Sequence, residues 1–97
     1  MKLKSIEQAD DGIHKYVAIF ERENGSVFRT KFGAKGYRDY TDADTTREVR
    51  DAYRRRHERD LETGDPSRAG FLSYYLLWGP SKTLSRNITA YRRKFGL

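Results

Sequence analysis

Lys15-Tyr16-Val17-Ala18-Ile19-Phe20-Glu21, then Asn24-Gly25, then Val27-Phe28-Arg29-Thr30-Lys31-Phe32 is the stretch whose reading decides the fold. β-branched and aromatic residues crowd the first run, and the second alternates apolar with polar, as half-buried strands do. The Asn-Gly pair between them predicts a β-hairpin closed by a type I′ turn, with both turn residues at positive φ. Tyr16, Ala18 and Phe20 then share one face with Phe28 and Phe32 across the turn, and that face should cover a core. Two strands alone are marginal in water, so helices must pack on them.

The periodicity changes downstream of the hairpin. Gly33-Ala34-Lys35-Gly36-Tyr37-Arg38-Asp39-Tyr40-Thr41 reads as a glycine-punctuated loop. Thr45 and Glu48 form a capping box, and Val49, Tyr53, His57 and Leu61 recur every fourth residue, which predicts a helix over about residues 46 to 62, ended by Gly64. Asp65 as N-cap and Pro66 at the first helical position predict a second helix through the apolar run Phe71 to Trp78, stopped by Gly79-Pro80. A third helix, capped by Ser81 or Thr83, carries Leu84, Ile88, Tyr91 and Phe95 within about 60° of one another. Lys82, Arg86 and Arg93 fall on its opposite side. Residues 1–13 hold few apolar anchors and the acidic Asp10-Asp11-Gly12, and read as a flexible arm. The expected architecture is α+β, an N-terminal β-hairpin packed on about three α-helices, in one domain over residues 14–97.

Charge is unevenly distributed. The chain carries 20 basic and 14 acidic side chains, a formal net charge of +6. All 14 acids lie at or before Asp65, matched there by an equal number of bases, so the excess belongs to Arg68, Lys82, Arg86, Arg92, Arg93 and Lys94. A polarised chain of this kind has a side suited to phosphates or another acidic partner. No apolar run approaches the roughly 18 residues of a membrane span, and the N-terminus does not lead into a signal-peptide core, so the expectation is a soluble intracellular protein with no membrane partner. With no cysteine there is no disulfide, thiolate metal site or thiol nucleophile.

Catalytic signatures are missing. The 33–36 loop lacks the Walker A spacing. It fits the GxxG of KH domains literally, but follows a strand where that clamp joins two helices. It reads either as a turn that needs glycine or as a backbone nest for an anion. No serine occupies a G-x-S-x-G elbow, and the two histidines lack H-E-x-x-H spacing. Asp39, Asp42 and Asp44 lack an EF-hand's ligand count, and suit turn and capping roles better. Arg54-Arg55-Arg56 resembles a nucleic-acid patch, although the neighbouring acids also suit an ordinary solvated helix face. Trp78 reads as a core anchor with an edge capable of stacking on a base.

Three separated blocks add a resemblance. Lys31 to Thr41, Arg56-His57-Glu58-Arg59-Asp60, and Asp65 to Trp78, followed by Pro80, Leu84, Ser85, Ile88, Tyr91 and Phe95, resemble an uncharacterised family of small basic proteins encoded by giant DNA viruses. The resemblance spans about residues 15 to 97. It implies a viral setting, virion or viral factory, with abundant DNA or RNA, and it brings no cofactor and no catalytic residue. The expectation is thus a non-enzymatic basic module that contacts nucleic-acid phosphates without sequence preference, through Lys82, Arg86 and Arg93, with Arg54, Arg55, Lys35 and Arg38. The alternative is a protein–protein adaptor, such as a minor virion component, that binds its partner by strand addition at the hairpin edge.

Overall fold

A computed structural model describes all residues from Met1 to Leu97. Its sheet has three antiparallel strands in the order β1 (Lys2–Gln8), β2 (His14–Glu21) and β3 (Val27–Ala34). Three helices follow, α1 (Arg47–His57), α2 (Ala69–Leu72) and α3 (Leu84–Phe95), so the fold is α+β as the sequence predicts.

The β2–β3 register places Tyr16 opposite Phe32 and Phe20 opposite Phe28, with ring centroids 5.8 and 5.2 Å apart. Ala18, Phe20 and Phe32 are fully buried on that face. The turn differs from the predicted type I′. Only Gly25 has positive φ; the Gly25 N–H donates to Arg22 O, and the Arg22 N–H to Ser26 O. This is a type I turn followed by a left-handed bulge residue. Asn24 stays right-handed because its side-chain oxygen accepts the Ser26 N–H at 3.0 Å.

Residues 2–8 are not a flexible arm but the third strand of the sheet. Leu3 pairs with Phe20 and Ile6 with Ala18, although residues three apart point to opposite faces of a regular strand. A bulge between Leu3 and Ser5 absorbs the extra residue and returns both side chains to the core face. Leu3 is buried, and Arg92 of α3 donates to the Leu3 and Lys4 carbonyls at the bulge.

Thr46, not Thr45, caps α1, its hydroxyl accepting the Val49 N–H, while the Thr45 hydroxyl is buried without a partner. The helix tightens into a 3-10 segment at Glu58–Thr63 before Gly64 ends it in a left-handed conformation. Asp65 does not cap a helix at Pro66: its Oδ1 accepts from the N–H and hydroxyl of Ser67, an Asx turn that delays α2 to Ala69. From Ser73 to Leu77 the chain widens to a π-helical turn closed by the Trp78 N–H on Ser73 O. The run Phe71 to Trp78 supplies Phe71, Leu72, Leu76, Leu77 and Trp78 to the buried core.

Phe95 of α3 meets Phe71 and Tyr75 edge-on, with centroids 5.6 and 5.2 Å apart, and Tyr91 meets Tyr75 at a tilt, 5.7 Å away. Between Leu84 and Tyr91 on the same face, Asn87 is buried and fully bonded: it accepts the Ser81 N–H and donates to the carbonyls of Leu76 and Ser81. Gly79 allows this approach, because a Cβ there would meet Tyr75 O at 2.2 Å.

Candidate nucleic-acid interface

Packing the apolar stripe of α3 against the Phe71–Trp78 segment turns the helix's remaining face outward. Arg86 and Arg93 lie on that face, both exposed and neither in an ion pair; with Ser85, Thr89 and Ala90 they line a shallow depression. Seven residues at 1.5 Å rise separate them by about 10 Å along the helix. Ala90 also lines an adjoining hollow bounded by Arg54, Lys94 and Asn87. No carboxylate lines either. Arg92, Arg93 and Lys94 occupy the last turn of α3, where the helix dipole favours cations.

The other expected cations divide between structural duty and remote placement. Lys82 precedes α3 and points away from its basic face. Its ammonium donates to the carbonyls of Tyr40, Asp42 and Thr45 and lies 4.4 Å from the Tyr40 ring centre, holding the 40–45 loop. Arg54 donates to Trp78 O at 2.7 Å and lies over Tyr74 at 4.3 Å, yet still borders the second hollow. Burial raises the pKa of the neighbouring Tyr75 phenol above its ordinary value, with Tyr74 adding to the shift and Arg54 opposing it. Arg55 is exposed on α1 without an ion pair. Lys35 borders a hollow with Gln8 and His14, and Arg38 pairs with Asp44 at 2.6 Å; neither lines the α3 depressions.

The loop glycines serve backbone geometry. Gly33 and Gly36 both take positive φ, and a Cβ on Gly33 would meet Leu77 Cδ1 at 2.9 Å. The three loop aspartates act within the loop. Asp39 receives Lys15 Nζ at 2.6 Å and the Thr41 N–H, Asp42 receives the Asp39 N–H, and Asp44 pairs with Arg38. Lys94 belongs to the basic excess of the sequence but not to the expected contact set; the structure brings it to the second hollow.

No family model matches the chain, and no curated protein or solved structure matches it. No helix is long and apolar enough to cross a membrane.

Proposed function

We propose that the chain is a non-enzymatic module that grips the phosphate backbone of nucleic acid through the outer face of α3. Arg86, Arg93 and Lys94 supply the phosphate contacts, and Arg54 flanks them. The observation that carries this reading is the pair Arg86 and Arg93, exposed two turns apart on a face without a carboxylate. Backbone contacts of this kind position a protein without reading sequence. The resemblance to giant-virus proteins would place the encounter in an infected cell or a virion.

Fluorescence anisotropy with labelled duplexes of unrelated sequence at low salt tests the proposal. The expected result is similar affinity for each duplex, and a loss of about tenfold or more in the double variant Arg86→Glu/Arg93→Glu, as reversing two phosphate contacts requires. Undiminished binding by a folded double variant would overturn it.

One observation favours a second reading. The sheet ends at β3, whose outer backbone groups face no fourth strand, so a partner could add one there. Arg29 and Lys31 stand exposed on that edge, a common guard against unwanted pairing, and weigh against it. Nuclease-insensitive association with a protein partner, lost when proline replaces Arg29, would favour this alternative.

A further inference from the structure

The largest cavity, about 440 Å³, lies away from α3 and shares no residue with its depressions. Its volume falls in the range of small-molecule sites. Leu77 and Trp78 contribute apolar lining, and Tyr37 lines it while 74% exposed. Tyr53 is stacked between the His57 ring at 4.0 Å and the Trp78 ring at 4.3 Å, which fixes the imidazole in the cavity wall.

Three cations reach the same cavity from separate elements: Lys15 from β2, Arg38 from the loop, and Arg56 from α1. One carboxylate, Asp39, also lines it, and is buried and already satisfied by Lys15 and Thr41. Arg56 has no ion pair at all. The Arg38–Asp44 pair is 73% and 61% exposed, so an anion could exchange with it at little cost. Tyr53 and Ser73 line the cavity, neither hydroxyl having a hydrogen-bond partner in the protein, and His57 uses only Nδ1, toward Asp60.

The geometry points to a binding site for a nucleoside monophosphate group, independent of the α3 surface. The phosphate lies against Arg56 and Arg38, the base stacks on Tyr37 over the Leu77–Trp78 lining, and the unpaired hydroxyls meet the sugar. An isolated phosphate would leave the aromatic lining unused, and an uncharged base would leave the arginines unused. The chemistry is shared by a free nucleotide and by the phosphorylated end of a single strand.

Trp78 is the only tryptophan. Titration of the whole chain with AMP should therefore quench its fluorescence saturably, and shift the amide NMR signals of Gly33 and Gly36. Adenosine and inorganic phosphate should each bind about tenfold or more weakly than AMP, as loss of one charge-assisted or stacking contact requires. Arg56→Ala should weaken AMP binding by a similar factor, and Tyr37→Ala likewise. Arg86→Glu/Arg93→Glu should leave AMP binding unchanged, which separates this site from the α3 surface. Tighter Arg56-dependent binding of a 5′-phosphorylated oligonucleotide than of AMP identifies a strand end as the source; equal binding identifies the free nucleotide. Absence of saturable change by both fluorescence and NMR overturns the inference, as does AMP binding that survives Arg56→Ala and Tyr37→Ala in folded protein.

Discussion

Asn87 shows how one polar residue can join three segments. Its amide satisfies the N–H and carbonyl of Ser81 and the carbonyl of Leu76, and Gly79 lies against the side chain, where a Cβ would meet Asn87 Cγ at 2.9 Å. Asn87→Ala leaves these groups unpaired in a buried setting and should cost about 2 to 3 kcal/mol in urea unfolding. A loss below about 0.5 kcal/mol would mean that the three bonds add nothing net. Its place on the face is legible in the spacing, three positions after Leu84 and four before Tyr91, but a polar side chain carries no hydropathy signal of burial. Tyr53 carries a different signature. Burial, with Asp60 adding to it, raises the pKa of its phenol from 10.0 to about 12. A group whose folded pKa is raised stabilises the fold below its unfolded pKa and loses that contribution as pH rises through the folded value. Thermal midpoints should therefore fall between about pH 10 and 12, and less steeply in Tyr53→Phe. Identical slopes in the two proteins would contradict the burial of this phenol.

Among the elements, β1 departs most from a sequence reading, and the cause is local. Strand detection relies on a period of two, and Leu3 and Ile6 break it. The bulge that reconciles them is a backbone feature with no strong residue signal, and Arg92, the side chain that clamps it, is 89 positions away from Leu3. Leu3→Ala should destabilise the fold by about 2 to 4 kcal/mol, as truncation of a buried leucine does. The amides of β1 that bond to β2 should be protected from hydrogen exchange with those of β2. A Leu3→Ala variant of unchanged stability, with β1 amides exchanging freely, would restore the mobile arm. The β2–β3 hairpin and the stripe of α3 were legible because each is amphipathic at its own period. Helix starts were less so: Asp65 and Thr45 have the right chemistry for caps, but Asp65 is held in its Asx turn with Ser67, α2 starts without a side-chain cap, and Thr46 caps α1 in place of Thr45.

At the scale of the whole molecule, the +6 charge resolves into distinct duties. Lys82 and Arg92 donate to backbone carbonyls of the 40–45 loop and β1, and Arg68 pairs with Asp65. Arg86, Arg93 and Lys94 are left without carboxylate partners on α3. Composition locates the excess in the last third of the chain, but it cannot separate cations that hold the fold together from cations free to meet a partner. That division depends on which carbonyls come within reach, a tertiary property. Likewise the 440 Å³ cavity gathers Lys15, Arg38, Arg56 and Trp78 from four places in the sequence, and no linear motif marks it.

The central claim is phosphate contact by α3, and the salt dependence of duplex binding tests it most directly. Each neutralised phosphate contributes about −0.9 to the slope of log affinity against log salt. Three contacts predict a slope of roughly −2.7 for the native chain and one near −1 for Arg86→Gln/Arg93→Gln. A slope near zero, or one unchanged by the double substitution, would contradict the account.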